Sequence, residues 1–373
     1  MENMIDNVEN AIVSNSNTMV FLTLDYDSSE TLSIDYVSPG IEQFGLDSHD
    51  LTAGTTNFAD IVHPDDCKRV LAEISEFERQ NHAEYRHAFR LITRSGKARW
   101  VESRMSLTKT NDNGRFRHQG VLTDITDTCL EIHRAGEIQN SLMPAASPVV
   151  HGLDIAARSI PYNHAGGDFY DFVWNPDDPQ SPVSVVVGDV SGHGLDSAII
   201  GARASGYLRF GGLKRFAAAE TLSLMNRDLA CYLGQTGHFL TLIHLTFAAD
   251  RRSVEWVRAG HDAAYIYDPS RDEFSTLLGK GMALGVDKDQ EFEVNRITGL
   301  QPGNVVAIGT DGICDSQNLE GEMFGSSRVK AIIREKASCS SQEILDAVFE
   351  SHAQFTHKMN RFDDMTLVIA KLQ

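Results

Sequence analysis

Two hydrophobic repeats alternate along the chain. From Glu84 to Thr93 every second residue, Tyr85, His87, Phe89 and Leu91, falls on one face, the two-residue period of a half-buried strand. Ser95-Gly96 turns the chain. Val101, Ser103, Met105 and Leu107 continue the alternation, and Asn113-Gly114 predicts a hairpin into a third strand from Arg115 to about Ile125. Ahead of these lie extended segments at Met19 to Leu24 and Leu32 to Val37, with short helical pieces at Ile41 to Phe44 and Asp65 to Gln80. This order predicts a compact α+β domain over residues 1–126.

The period then changes. Ile125, Cys129, Ile132, Ala135, Ile138 and Leu142 recur at three- and four-residue steps until Pro144, which predicts a linking helix over 127–144. The stripe is barely two heptads long and Gly136 weakens it, so two readings stand. It is a helix packed on its own domain, or a dimer-forming lever.

Residues 145–373 alternate strand-like and helix-like runs. Val183 to Gly188 reads as a buried strand ending at Gly188-Asp189, and Asn304 to Gly309 as another ending at Thr310-Asp311-Gly312. Thr366 to Ala370 follows directly on Asp363-Asp364, and Gly166-Gly167-Asp168 leads into Phe169-Tyr170-Asp171-Phe172-Val173. Ala198 to Phe210 and the stripe Leu222, Met225, Leu229 and Tyr232 predict helices with core-facing sides. Strands near Leu240 to Ala248, Val254 to Arg258 and Ala264 to Tyr267 are expected to fill out a second sheet, and Ile344, Ala347, Val348 and Ser351 to lie on a late helix.

Bulk properties narrow the classes. At 373 residues the chain is long enough for two or three domains, and 42% hydrophobic residues supply real cores. No apolar run approaches the roughly 20 residues of a membrane helix. Met1 to Asn10 is polar and acidic, unlike a secretory signal. Five scattered cysteines without metal-ligand spacing read as reduced thiols of a cytoplasmic protein. A formal charge of −19 argues against a nucleic-acid partner.

The acids carry the chemistry. A single Asp-Gly is a turn, but here four acids or acid pairs stand at strand ends beside glycines. A strand end anchors such a carboxylate while leaving it free to face a cleft. Clustered aspartates repel one another, so a site built from them needs cations to keep them ionised. Oxygen donors without Cys or His point to Mg2+ or Mn2+. Two such ions about 4 Å apart activate water for in-line attack at phosphorus, which is chemistry for hydrolysing phosphate esters.

Two resemblances sharpen this reading. Tyr36-Val37-Ser38-Pro39-Gly40, Ile61-Val62-His63-Pro64-Asp65-Asp66, Arg99-Trp100-Val101-Glu102 and Gly120-Val121-Leu122-Thr123-Asp124-Ile125-Thr126 resemble, in order, the motifs of a PAS domain, a sensory or dimerising module. They do not name its ligand. His63 reads as part of a helix start, not as a haem ligand. Gly166-Gly167-Asp168-Phe169-Tyr170-Asp171, Gly188-Asp189-Val190-Ser191-Gly192-His193-Gly194, Thr310-Asp311-Gly312-Ile313 and Asp363-Asp364-Met365-Thr366 resemble the signatures of PPM (type-2C) phosphatases of the SpoIIE/RsbU branch. Glu137-Ile138-Gln139-Asn140-Ser141-Leu142-Met143-Pro144 is similar to the segment preceding that catalytic domain.

The second resemblance implies an α/β/β/α sandwich and a metal-dependent protein serine/threonine phosphatase with two Mn2+ or Mg2+ ions. Asp189 would bridge the ions with help from the Val190 carbonyl. Asp168 and Asp311 would bind directly or through water, and Asp363, in preference to Asp364, would complete the set. His193 is a candidate general acid or a plain turn residue, and Asp171 a supporting or a strand-edge surface residue. Ala259-Gly260-His261 also resembles a family motif, with Arg258 and Ala263 in place of its Asn and Pro; that segment is expected in a hairpin. The implied substrate is a phosphorylated STAS-type anti-sigma-factor antagonist in a partner-switching pathway, with a homodimer formed through the PAS domain and linker. The alternatives are a non-catalytic binding module and a PAS-mediated dimeric scaffold. A nucleotide cyclase or histidine kinase is disfavoured, because no phosphate-binding glycine box is present.

Overall fold

The computed structural model describes residues 19–26, 32–109, 116–162, 165–178, 180–192, 194–356 and 363–373. The chain forms two compact units, Met1–Glu131 and Ile132–Gln373.

In the first unit, strands β1 (Met19–Tyr26), β2 (Leu32–Val37), β3 (Glu84–Ile92), β4 (Ala98–Lys109) and β5 (Phe116–Asp124) form one antiparallel sheet in the order β2-β1-β5-β4-β3. The expected alternation is borne out on β3, whose Tyr85, His87, Phe89 and Leu91 are all buried. Its register against β4 pairs Phe89 with Val101. The Asn113-Gly114 turn lies outside the described residues. Helices α1 (Ser48–Thr52), α2 (Phe58–Ile61) and α3 (Pro64–Gln80) fill the segment between β2 and β3. His63 caps α3, its Nδ1 accepting the Asp65 N–H at 3.2 Å, with Pro64 in the first turn where its missing N–H costs nothing. Val70 and Ile74 of α3 join Val20, Leu22, Phe89, Leu91 and Leu122 in one core.

Helix α4 (Thr126–Leu142) occupies the predicted linker; Cys129, Ile132 and Ala135 of the predicted stripe are half-buried, and beyond them the buried face shifts by one residue. Gly136 and Gln139 are buried, whereas Ile138 is 64% exposed and Leu130 47%. A small residue and a polar one face the protein here, because the partner surface is backbone and not an apolar core.

The second unit is a sandwich of two five-stranded antiparallel sheets. One has the order β13-β10-β9-β8-β7, built from β7 (Phe169–Val173), β8 (Val183–Val190), β9 (Leu240–Phe247), β10 (Ser253–Ala259) and β13 (Asn295–Thr298). The other has the order β12-β11-β14-β15-β6, built from β6 (Leu153–Ile160), β11 (Ala264–Asp268), β12 (Glu273–Leu277), β14 (Val305–Gly309) and β15 (Met365–Leu372). Val183, Val185, Val187, Ile243 and Leu245 of the first sheet interdigitate with Ile266, Val306, Ile308 and Val368 of the second. The outer faces are covered by helices α5 (Leu195–Lys214) and α6 (Ala218–Thr236) on the first sheet. On the second lie α7 (Asp311–Asp315), α8 (Gly325–Glu335) and α9 (Ser341–Phe355). Central strands buried on both sides explain the near-continuous valine run of β8.

Two expectations need correction. Tyr232 is 54% exposed, beneath the Arg203 guanidinium at 4.3 Å, and Leu233 takes the core position in its place. The Ala264 strand is not a hairpin partner of the Val254 strand. After β10 the chain crosses from one sheet to the other, a crossing a two-residue period cannot reveal.

Candidate functional site

Where the ends of β8 and β14 meet the start of β15, a cavity of about 340 Å3 is lined by Asp189, Asp262, Asp311, Asp363, Thr241 and His261, with Ser191, Gly192, Phe239 and Gly260 at its walls. Asp189 occupies the penultimate position of β8, Asp311 opens α7, and Asp363 precedes β15. Three of the four acids singled out as primary ligands in the sequence thus share one cavity. No lysine or arginine is among its lining residues.

The electrostatics follow from that composition. Burial, followed by the negative charges of Asp311, Asp363, Asp364 and Asp262, pushes the Asp189 carboxyl up to about 7. Asp311 is raised by burial and then by Asp363, Asp315 and Asp262. Among the described residues these carboxylates face one another without a lysine or arginine, and bound cations would restore their ordinary acidity. The acids at this cavity, Asp189, Asp262, Asp311 and Asp363, offer oxygen donors, the chemistry that Mg2+ or Mn2+ takes.

The other predicted acids sit behind this wall. Asp168 is 4% exposed and accepts the Thr310 hydroxyl at 2.7 Å, while Thr310 Oγ1 in turn accepts the Thr366 N–H at 3.0 Å. Burial, then the nearby Asp189 charge, raises the Asp168 carboxyl well above the usual range. Asp364 separates from its neighbour Asp363. It is 2% exposed and accepts N–H groups from Tyr162 at 2.6 Å, Gly167 at 2.5 Å and Asp168 at 3.3 Å. Asp364 therefore pins the Gly166-Gly167-Asp168 loop, whereas Asp363 faces the cavity. The glycine pair is required there. A Cβ on Gly166 would strike the Asp364 carboxylate, and one on Gly167 would strike the Val190 carbonyl.

Asp171 is neither at the cavity nor at the surface. It is 2% exposed and accepts the Ser205 hydroxyl at 2.7 Å and the Arg209 Nε–H at 3.0 Å, tying β7 to α5. His193 lies outside the described residues.

Three residues at the site were not assigned to it from the sequence, which placed His261 only in the Ala259-Gly260-His261 motif of an expected hairpin. Asp262 and His261 reach the cavity through the crossover between sheets. There Gly260 adopts φ 69°, and the Arg258 guanidinium donates to the carbonyls of His261 and Gly279, the latter at 3.1 Å. Arg258, the departure from the family motif, is thus a clamp on this crossover. His261 is held neutral, burial and then Arg258 pushing its imidazole down to about 4, with a small opposing effect from the Gly309 backbone. The third residue is Gln139 of α4. Its side-chain amide donates to the Gly166 carbonyl at 2.6 Å, and its Oε1 accepts the Gly166 N–H at 3.3 Å. The Glu137 to Pro144 resemblance was the available signal, but it did not say which residue mattered.

With this geometry in view, the comparisons with known proteins decide the family. The profile described as Stage II sporulation protein E (SpoIIE) matches residues 179–373, over half of the chain. The chain belongs to the SpoIIE family. Its second unit is accordingly a SpoIIE-type PPM serine/threonine phosphatase domain, and the PPM phosphatases related to it depend on Mg2+ or Mn2+. The PAS fold matches residues 34–122. Phosphoserine phosphatase RsbU of Bacillus subtilis is 23% identical over 241 residues, covering 65% of this chain and 70% of RsbU. A methyl sulfide methyltransferase-associated sensor of Methanosarcina acetivorans is 32% identical over 116 residues, 31% of this chain and 11% of that protein. Among solved structures, the SiaA-PP2C domain of Pseudomonas aeruginosa superposes with a TM-score of 0.58 at 21% identity, covering 66% of this chain and 98% of that one. The likeness to SiaA establishes the sandwich fold of this SpoIIE-type domain.

Proposed function

We propose that this protein is a PAS-regulated, metal-dependent phosphatase acting on a phosphorylated serine or threonine of another protein. The observation that carries the proposal is the cavity at the ends of β8 and β14, where Asp189, Asp311 and Asp363 face one another with no lysine or arginine among the described lining residues. In this reading Asp189 and the Val190 carbonyl hold two Mg2+ or Mn2+ ions, with Asp311 and Asp363 completing the set and Asp168 acting from the layer behind. Those ions would supply the positive charge that activates water and offsets the charge on the phosphoryl oxygens. The protein's own work is placement. Thr310 fixes the Asp168 rotamer, the three amide donors fix Asp364, and Asp363 Oδ1 accepts the Asp364 N–H at 2.9 Å.

The proposed substrate is a STAS-type anti-sigma-factor antagonist phosphorylated on serine, in a bacterial partner-switching pathway. The likeness to RsbU, a phosphoserine phosphatase, supports it. The PAS domain, whose ligand is not named by its residues, would set activity through α4. Gln139 grips the loop that Asp364 also grips, so movement of α4 changes the support of Asp168. The exposed Leu130, Ile138 and Leu142 of α4 suit a homodimer contact through the PAS domain and linker. Five cysteines free of disulfides suit a cytoplasmic location. No helix among the described residues is long and apolar enough to cross a membrane.

The test is hydrolysis of p-nitrophenyl phosphate and a phosphoserine protein with Mn2+, with Mg2+ and with chelator. We expect metal-dependent turnover that falls by about a thousandfold or more in Asp189→Asn. Equal turnover in the variant would sink the assignment of this cavity.

A further inference from the structure

We propose that Phe239 sets the choice of substrate: its phenyl ring packs against an apolar side chain next to the phosphoserine, with Leu195 and Met282 extending that contact beside the cavity. This rests on the phosphatase reading above and names the flanking residues that the same site selects.

The strand places the ring. Phe239 immediately precedes β9, and the two-residue period sets it on one side with Thr241, while Leu240 and Leu242 join the core beneath α5 and α6. Phe239 and Thr241 both line the acid-rich cavity. The loop that follows Asp189 holds the Phe239 backbone twice. The Phe239 N–H donates to the Ser191 hydroxyl, and the Ser191 N–H donates to the Phe239 carbonyl, each at 2.9 Å. His238 Nδ1 lies 2.8 Å from the Ser191 carbonyl and completes the tie. Despite this anchorage the Phe239 side chain is 41% exposed.

A single exposed phenylalanine needs no explanation, but this one lies in the wall of the site and has apolar company. Leu195, 40% exposed, opens α5 three residues after Gly192 of the cavity wall. Met282, 45% exposed, follows Gly281, whose carbonyl accepts the N–H of Gly260, another wall residue, at 3.0 Å. Exposed apolar residues thus adjoin a cavity lined by the carboxylates of Asp189, Asp262, Asp311 and Asp363. The phosphoryl group goes to the acids and their cations, so the chain on either side of it passes the apolar residues. An apolar neighbour gains there by leaving water. An acidic neighbour finds no lysine or arginine among the described lining residues, and the four aspartates disfavour it.

The experiment uses the full chain with Mn2+ and three phosphoserine peptides that differ only in the residues flanking the phosphoserine: leucine, glycine or glutamate. We expect the wild type to prefer the leucine peptide over the glycine peptide by about tenfold in kcat/KM, chiefly through KM. The glutamate peptide should be the poorest of the three. Phe239→Ala should bring the leucine-to-glycine ratio below about threefold, and Phe239→Leu, which keeps an apolar side chain, should retain most of it. Each ratio is taken within one preparation, so a partly unfolded variant does not distort it. Equal kcat/KM on the leucine and glycine peptides in the wild type would overturn the proposal, as would the full preference in Phe239→Ala or a glutamate peptide as good as the leucine one. Should Phe239→Ala fail to fold, Met282→Ser carries the test, with a ratio lowered by about twofold or more expected and an unchanged ratio overturning it. A wild-type chain that hydrolyses none of the peptides, with Mn2+ or with chelator, would instead sink the phosphatase reading and this one with it.

Discussion

The seam between α3 and the PAS sheet and the cavity of the phosphatase unit are both rich in acids, and they treat them in opposite ways. On α3, Asp66 accepts the Arg90 N–H at 2.8 Å and pairs with its guanidinium, and Glu73 pairs with Arg69 at 2.9 Å and His87 at 3.2 Å. Burial pulls both carboxyls up, but Arg90 for Asp66, and His87 with Arg69 for Glu73, pull harder, and both end below their ordinary values. In the phosphatase unit Asp168, Asp189, Asp311 and Asp364 are all raised, burial leading each time. Acids matched with cations hold a fold together. Acids left facing one another repel, which a held proton or an added cation relieves, and the proposed site of chemistry rests on this second arrangement. Asp364 stands between the two cases, still raised but satisfied by three amides, and its role is correspondingly architectural.

The comparison can be broken most sharply at Asp364. Replacing it with Ala removes the acceptor of three N–H groups, two of them buried. We expect about 3 kcal/mol of lost stability in the phosphatase unit and more than about a hundredfold loss of turnover, with Asp364→Asn retaining part of each. Denaturant unfolding and initial rates measure them. A stable and active Asp364→Ala would show that the amides find other partners and that the loop needs no anchor.

The matched region responds less. Asp66→Asn should cost the PAS unit about 2 kcal/mol, the order of a hydrogen-bonded charge pair partly open to water. Hydrogen exchange at the Arg90 amide reads this locally, and unchanged protection would remove Asp66 from the list of structural acids.

The third contrast is a difference in sign with pH, followed by thermal unfolding in chelator. The folded state holds the Asp189 proton to about 7, well above the unfolded value. Its contribution is therefore fully present below pH 4 and is lost as pH rises from about 4 to about 7. Asp66 and Glu73, depressed in the fold, contribute in the opposite sense, their stabilisation fading as pH falls through and below the usual carboxylate range. Asp189→Asn should flatten the first trend and leave the second. An identical pH profile in wild type and variant would mean that Asp189 carries no such strain.

Much of the fold was legible because it is local. The alternation of β3, the valine run of β8 and the Pro64 helix start each depend on neighbours within a few residues. The positions of Asp189, Asp311 and Asp363 at strand ends were legible for the same reason. The Ala259-Gly260-His261 motif was legible, but the place of His261 and Asp262 at the site was not, because a crossover between sheets and a hairpin look alike when both begin at an Ala-Gly step. Nor was the exposed Ile138, since apolar spacing gives no hint that α4 would turn Gln139 towards a glycine backbone.

Residue spacing alone therefore determined which segments form strands and helices and which acids end them, since propensity and period act over a handful of positions. Only the tertiary structure decided the division of labour between Asp363 and Asp364. The two are adjacent and chemically identical, and they differ only in what meets them. One faces a cavity of other carboxylates, and the other meets the Tyr162 amide, 202 residues away in the chain.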